Sequence, residues 1–486
     1  MSTAKSKKPI RVLIVGAGDA GRMVAHEMKR HAEAGFVPIA FIDDDPVKLG
    51  SSVEGVPVLG DRKKIHNVVC DHAVDEILIA LPSADGSAIR GIIRYCENER
   101  LKFRIVPGIW EIIRGEVEIK QIRPIRAEDL LGRETVELDL SLLTQAYAGK
   151  RLLVTGAGGS IGSEICRQVL LADPDKLIIM GRGENSIFEA QSSFREYLKN
   201  TKVIPVIGDV RDTRAVEEVL ERDKPQVIFH AAAHKHVGFM EQNPVEAVAN
   251  NFLATAALVE TAIRHNVERL VLISTDKAVN PRAVFGVTKR MAELYLLQRA
   301  RQLADTSSTR LIVVRFGNVL GSRGSVVPIF QRQIAQGGPV TVSHPEVARY
   351  FMTIKEATLL VVKAAAVGKG GEIFVLDMGD QMLIAELARN LIVLSGYVPD
   401  VDIPIVYGTL KQGEKLREEL VHEFEPLEKT ELDGLHFTRG MSATQPSVTG
   451  EAVQRLSELV RAGDNAGVRA EIQRLVPEAV LTPVNS

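Results

Sequence analysis

The most reactive run of side chains in the sequence is Ser274-Thr275-Asp276-Lys277. A hydroxyl, a carboxyl and an amine on consecutive residues can relay, donate and accept protons once burial and neighbours tune their proton affinities. Phe285 and Lys289 follow, four residues apart and so on one face of a helix. A tyrosine at the first position could shuttle a hydroxyl proton, with the nearby ammonium lowering its pKa. Here the ring has no oxygen, and a phenyl group transfers no proton. Either the centre is inactive or Thr275, Asp276 and Lys277 carry the proton chemistry. A lone TDK tripeptide is otherwise an ordinary surface turn. Its place at the end of the apolar run 269–274, beside Lys289, favours catalysis.

The residues that would position a nucleotide come in two copies. IRVLIV (10–15) leads into Gly16-Ala17-Gly18-Asp19-Ala20-Gly21 and a helical pattern. RLLVT (151–155) leads into Gly156-Ala157-Gly158-Gly159-Ser160-Ile161-Gly162 and a second helical pattern. A strand, a glycine turn and a helix open a Rossmann-type unit, whose glycines let a diphosphate approach the helix N-terminus. In the first copy, Gly16, Gly18, Gly21 and Asp43 form a candidate nucleotide site, with Asp43 placed for a ribose hydroxyl; a bare scaffold is the alternative.

The second copy is better supported. Gly156, Gly159, Ser160, Ile161 and Gly162 form its turn. Asp209, beside Val210, can accept from an adenine amino group. Ala231 and Ala232, in HAAAHKH (230–236), leave room for a cofactor or simply pack tightly. Where an acidic residue is expected at the end of the second strand, the sequence has Gly181-Arg182. A guanidinium attracts a 2′-phosphate that a carboxylate repels, which favours NADP(H) over NAD(H). Stacking of Arg182 on adenine is the other reading.

These turns need parallel sheets behind them. Apolar runs at 10–15, 37–43, 76–82 and 103–107 predict the first sheet, and runs at 151–155, 176–180, 203–207, 226–230, 269–274 and 311–316 predict the second. The expected fold class is α/β, with two tandem Rossmann-like doubly wound parallel-sheet domains. Residues 1–130 form the first, 131–150 a linker, and 151–486 the second with a smaller C-terminal substrate-binding part. The segment 111–150 reads as a crossover, and 450–476 as one packing helix.

Composition sets outer limits. The chain has 486 residues, 45% apolar and 25% charged, with net charge −2. That is a globular balance without the basic footprint of a nucleic-acid binder. Cys70, Cys96 and Cys166 are far apart and show no metal-ligand or disulfide spacing, which fits a reducing compartment. His234 and His236 read as neighbours of the cofactor loop, with no partner set for a metal. No apolar run approaches membrane-spanning length. MSTAKSKKPI reads as a solvated tail, or as a cytoplasmic flank of something not in this chain. The expected location is the cytoplasm, free or peripheral at the inner membrane face.

With STDKAVNP, FGVTKR, RFGNVLGSRGSVVP, TGAGGSIGSE, GDVRD, HAAAHKHVGFMEQNPVEAVANN, RYFMT, GEIFVLDMG and QGEKLREEL, the chain resembles the UDP-N-acetylhexosamine 4,6-dehydratases. These are the polysaccharide-biosynthesis branch of the extended short-chain dehydrogenases. The matching segments cover nearly all of 128–425. The upstream domain is similar to that of long, membrane-associated members, whose transmembrane helices precede the position of residue 10. The resemblance therefore implies a soluble variant or a shortened form. Phe285 places it nearer the members that retain configuration at C5, since the inverting ones keep tyrosine there. Lys411-Gln412 stands where the family commonly has Arg-Pro.

The resemblance implies oxidation at sugar C4, loss of water across C5 and C6, and return of the hydride to C6. Thr275 would bind the 4-hydroxyl, Lys277 would be the C5 base and Asp276 the acid for O6. As a base Lys277 must be partly neutral, and Lys289 and the nicotinamide charge are expected to depress its pKa. Lys289 and Val319 would touch the cofactor. Lys235, Asn251, Asn318, Arg323, Arg349 and Lys411 would face a UDP-N-acetylhexosamine. The family also implies a homo-oligomer. A UDP-sugar C4-epimerase or reductase and a non-catalytic nucleotide-sensing protein stand beside this reading.

Overall fold

The computed structural model describes residues 8–82, 84–106, 122–131, 138–303, 307–439 and 447–481. The tail 1–7, Pro107 of the expected 103–107 strand, and residues 111–121 and 132–137 of the expected crossover and linker lie outside the described residues. The chain forms two compact units. One takes in the described parts of Met1–Glu134 with Gly324–Pro345 and Leu383–Gly408. The other takes in those of Thr135–Arg323, Glu346–Met382 and Thr409–Ser486.

The first unit carries strands β1 (Ile10–Val15), β2 (Phe36–Ile42), β3 (Ser52–Val53), β4 (Val56–Gly60), β5 (Glu76–Ile79), β6 (Lys102–Ile105) and β7 (Arg123–Pro124). They form one sheet in the order β3-β4-β2-β1-β5-β6-β7. Pairing is parallel from β4 to β6, and β3 and β7 add antiparallel edges. The four expected runs become β1, β2, β5 and β6. The β3–β4 hairpin was not expected: its strands are too short for periodicity to register, and it turns on Glu54-Gly55, both with positive φ.

The second unit holds β8 (Arg151–Thr155), β9 (Lys176–Gly181), β10 (Lys202–Ile207), β11 (Val227–His230), β12 (Arg269–Ile273) and β13 (Arg310–Arg315). Its main sheet has nine strands in the order β10-β9-β8-β11-β12-β13, then Ile373–Leu376, Leu435–Thr438 and Glu428–Lys429. All pairs are parallel until the last two strands, which turn antiparallel. Alternate residues feed two apolar layers. Leu153, Ile178, Ile228, Leu270, Leu272, Leu311 and Val313 face one side. Leu152, Val154, Leu177, Ile179, Phe229, Val271, Ile312 and Val314 face the other. A sheet covered on both faces must be apolar throughout, so its strands read as unbroken hydrophobic runs. This is the expected α/β architecture of Rossmann-like parallel sheets. Among the described residues, no helix is long and apolar enough to cross a membrane.

The helix Val284–Leu303 is buried nearly all round over Val284–Leu297, charges included. Of these charges, Arg290 and Glu293 are matched. The Arg315 guanidinium, at the end of β13, donates to Glu293 Oε2 at 2.7 Å and to Glu425 Oε2 at 2.7 Å. Arg290 lies 3.1 Å from Glu293 and 3.2 Å from Glu425. Burial pushes the Glu293 carboxyl up, but Arg315 and Arg290 outweigh it and hold it at about 2. Ser274 Oγ, one residue past β12, donates to Glu293 Oε1 at 2.5 Å. The cluster therefore fixes the chain immediately before Thr275.

One expectation is corrected. The 450–476 stretch is two helices, Gly450–Ala462 and Asn465–Leu475, not one. Gly463 takes φ +68 and ends the first; the Asp464 side chain accepts from Gly467 N–H and caps the second.

Removing one member of the buried ion cluster leaves an uncompensated charge. Arg315→Met is expected to lower unfolding stability by about 3–5 kcal/mol in urea titration. A loss below about 1 kcal/mol would show that the cluster does not hold the sheet end.

Candidate active site

The turn after β8 has the contacts that make its glycines necessary. Gly156 adopts φ +69, and a Cβ there would lie 2.6 Å from Ala232 N; one on Gly162 would lie 2.3 Å from Gly156 O. The loop after β11 thus passes directly over the turn, and the helix Ser160–Leu170 begins against it. Gly156, Gly159, Arg182, Asp209, Val210, Ala231 and Ala232 line one crevice at the C-terminal ends of the strands. Ser160 and Ile161 open the helix beside it.

His230 holds this loop from below. Its Nδ1 lies 2.7 Å from Thr155 Oγ1 and its Nε2 2.9 Å from Thr255 Oγ1. Thr255 donates its hydroxyl to Asn251 O at 2.8 Å, so it accepts from Nε2–H and the tautomer is fixed. Burial, reinforced by Lys289, pushes the imidazole down to about 3 and keeps it neutral.

Arg182 and Asp209 stand at the far end of the crevice. The Asp209 carboxylate is engaged by Arg211 at 2.6 Å and lies 3.6 Å from Arg182. The hydrogen bond from Arg211 outweighs burial and holds Asp209 below the usual carboxylate range. Arg182 is half-exposed and lies 4.0 Å from Glu246.

Thr275, Asp276 and Lys277 leave the end of β12 in a tight turn. Asp276 N–H donates to Phe316 O at 3.0 Å, which anchors the turn to the end of β13. The Asp276 side chain is fully buried. Its Oδ1 accepts from Thr275 Oγ1 at 2.8 Å and from Lys277 Nζ at 3.0 Å, while Oδ2 has no partner among the described residues. Lys277 Nζ also donates to Asn318 Oδ1 at 2.9 Å and lies 3.4 Å from Glu418 Oε1. Val319 follows Asn318 in a two-residue strand paired with Phe351–Met352.

The charge state of Lys277 corrects one expectation. Burial pushes its pKa down, but the carboxylates of Asp276 and Glu418 outweigh burial and Arg349, so the amine is held above its ordinary value. Lys289 is the depressed lysine. It is buried without a partner among the described residues, and burial brings it to about 8 against a small opposing effect of Glu293. An unpartnered buried ammonium fits the cofactor ribose contact expected of it. Phe285, four residues earlier, is buried in the apolar core.

The expected substrate-side residues separate into groups. Asn318 and Arg349 adjoin the centre: Arg349 Nε lies 3.6 Å from Glu418 and its Nη2 donates to Glu414 at 3.0 Å. Lys235 reaches Ser322 Oγ at 3.2 Å, and burial lowers its pKa. Asn251 has a different task. Its Oδ1 accepts from His234 N–H and Asn250 Nδ2 and its Nδ2 donates to His234 O and Thr288 Oγ1, so it braces the loop after β11 and has no capacity left for sugar. Arg323 is also corrected: its N–H donates to Ser160 Oγ and its guanidinium to Gly158 O and Glu189, over the glycine turn. Lys411 is exposed, and its backbone N–H donates to Glu414. Glu418 is the buried group that no motif spacing pointed to.

In the first unit the glycine turn repeats the same geometry. Gly16 has φ +106, and a Cβ on Gly21 would lie 1.9 Å from Gly16 O. A Cβ on Gly18 would meet nothing within 4 Å. Asp43, expected on a ribose, instead accepts from Ala17 N–H at 2.7 Å, Asp45 N–H at 2.9 Å and Lys48 Nζ at 3.0 Å. Its carboxylate is occupied by its own unit. Two surface groups bring metal-ligand types together, His66–Cys70–Glu99 and Glu217–Glu221–His265. Each is already internally paired, His66 to Glu99 at 2.7 Å and His265 to Glu217 at 2.6 Å.

Lys289 gives a stability test with a definite sign. Its folded pKa lies below the unfolded value, so its charged form destabilises the fold below about pH 8, and the penalty fades as pH rises towards 10.5. Lys289→Met is expected to add up to about 3 kcal/mol near pH 7. Urea unfolding should show that gain shrink near pH 10. An equal gain at both pH values would contradict the assignment.

Residues 152–439 match the family described as polysaccharide biosynthesis protein, and residues 2–107 the family described as a CoA-binding domain. The capsular polysaccharide biosynthesis protein CapD of Staphylococcus aureus is 46% identical over 415 residues, 85% of this chain and 69% of that protein. A UDP-N-acetylglucosamine 4,6-dehydratase (inverting) of Campylobacter jejuni and a UDP-glucose 4-epimerase of Rickettsia canadensis are each 35% identical, over 57% of this chain and 78% of their own. Among solved structures, Pen from Bacillus thuringiensis is similar over 60% of this chain and 90% of its own, with 32% identity and a TM-score of 0.55. The chain belongs to the polysaccharide-biosynthesis family, the branch of extended short-chain dehydrogenases that contains nucleotide-sugar dehydratase- and epimerase-type enzymes.

Proposed function

We propose that the protein is a UDP-N-acetylglucosamine 4,6-dehydratase that makes a 4-keto-6-deoxy sugar nucleotide for surface polysaccharide, using NADP in preference to NAD. The dehydratase and epimerase relatives match equally well, so the side chains must decide between them. The observation that carries the proposal is the buried, unpartnered Asp276 Oδ2 beside the Lys277 amine, with Phe285 at the helix position of the usual phenol. Epimerases and reductases of this fold rely on that phenol to shuttle the 4-hydroxyl proton. Elimination needs instead an acid for a departing oxygen and a base for a carbon-bound proton, which is what a carboxyl–amine pair offers.

The crevice residues fit a dinucleotide. The free N–H groups opening the helix Ser160–Leu170 suit its diphosphate, and Lys289 suits a ribose. Arg182, half-exposed and only loosely paired with Asp209 at 3.6 Å and Glu246 at 4.0 Å, supports the NADP preference. When bound, the nicotinamide supplies a hydride acceptor for C4 that later returns the hydride to C6. The protein does the rest. Thr275 takes the proton of the 4-hydroxyl and passes it to Asp276, along the hydrogen bond it already makes. Ketone formation at C4 makes the C5 proton acidic. Lys277, neutral once it has released its own proton to solvent, removes it, Asp276 protonates O6 as water leaves, and Lys277 returns the proton to C5 when C6 receives the hydride. Arg349 and Lys235 supply positive charge for the diphosphate of the substrate.

Incubation with UDP-N-acetylglucosamine, with NADP supplied, is expected to give a product lighter by one water in mass spectrometry, with a new methyl signal in proton NMR. Lys277→Ala should reduce turnover by at least about a hundredfold while cofactor still binds. A product of unchanged mass would select a C4-epimerase. Equal inactivity of wild type and variant over a broad panel of sugar nucleotides would favour a binding protein.

A further inference from the structure

Glu418 is the one member of the Lys277 cluster that arrives from a distant loop, and its placement is over-determined. Gln381 grips its backbone from both sides: the Gln381 side chain donates to Glu418 O at 2.9 Å and accepts from Glu418 N–H at 3.2 Å. The flanking residues are fastened to the turn that follows Lys277. Lys415 Nζ donates to Val279 O at 2.7 Å, and Asn280 Nδ2 donates to Glu419 Oε2 at 3.0 Å. Glu418, between those two fasteners, is brought to Lys277 and is buried.

An ammonium has three protons to donate. Lys277 Nζ donates to Asp276 Oδ1 at 3.0 Å and to Asn318 Oδ1 at 2.9 Å, and its charge faces Glu418 Oε1 at 3.4 Å. The charged groups facing the amine are Asp276 and Glu418, with Arg349 opposing them. Arg349 itself leans on Glu414 and Glu418. Glu418 Oε1 is shared between Lys277 Nζ at 3.4 Å and Arg349 Nε at 3.6 Å, and Oε2 is buried without a partner among the described residues.

We propose that Glu418 is a positioning residue that aims the Lys277 amine and sets the pH at which that amine can act as a base. This rests on the dehydratase reading above. Removing the charge of Glu418 while keeping its shape leaves the amine with one carboxylate instead of two. The neutral amine then becomes accessible at lower pH.

The test compares kcat for water elimination from UDP-N-acetylglucosamine across pH in wild type, Glu418→Gln and Glu418→Asp. In Glu418→Gln the limb that rises as Lys277 loses its proton is expected about one pH unit lower. Its plateau should fall about tenfold, with KM within about threefold of wild type. Glu418→Asp keeps the charge and should return the limb to its wild-type position. A fall in kcat with an unmoved limb would show a merely structural residue and overturn the proposal. So would a wild-type profile with no rising limb. A wild type that eliminates no water from any sugar nucleotide would defeat the dehydratase reading itself, and this inference with it.

Discussion

Lys277 is held by three separate stretches of chain: it donates to oxygens of its own turn and of the short strand after β13, and it pairs in charge with Glu418 on a distant loop. Burying an ammonium in a protein interior is costly unless its protons are met and its charge is opposed. Here both conditions hold, and meeting them requires the end of β12, Asn318 and the 415–419 segment to converge. Lys277, the proposed base, therefore also locks the site together. Its resting state is the cation, so proton transfer has to be triggered by what enters the site.

Lys289 is the counterpart. It sits one helical turn beyond Phe285, buried and unpartnered, with a depressed pKa. A buried lysine whose charge costs stability suits the cofactor contact proposed for it. The two lysines thus divide the work by environment: one is stabilised by carboxylates at the chemical centre, the other is left for a ligand. Behind them the Arg290–Glu293–Arg315–Glu425 cluster ties the long helix to β13 and, through Ser274, to β12. The scaffold fixes the residue just before the reactive turn.

Much of this was legible in the sequence because its causes are local. Both faces of the central sheet are buried, so β8 to β13 appear as apolar runs, placed within about a residue of their ends. The glycines announce turns that no Cβ would allow. Thr275-Asp276-Lys277 stands out because it ends such a run. Other features depend on partners far along the chain. Nothing near Lys277 in sequence reveals the Glu418 carboxylate, which joins the adjacent Asp276 in raising the amine's pKa. Asn251 and Arg323 have side chains suited to a sugar nucleotide, but the fold spends them on the His234 loop and the glycine turn. Asp43 occupies the ribose position of its motif and is taken by Ala17 N–H and Lys48. Gly463-Asp464 was a readable helix break, a stop followed by a cap, masked by the continuous spacing of Val453, Leu456, Leu459 and Val460.

The most direct measurement follows one hydrogen. UDP-N-acetylglucosamine carrying deuterium at C4 is converted by the enzyme, and the product is read by NMR. The account predicts deuterium in the new C6 methyl group, with no net reduction of the cofactor. Deuterium back at C4 in a sugar that has kept its water, or deuterium lost to released cofactor, would contradict it.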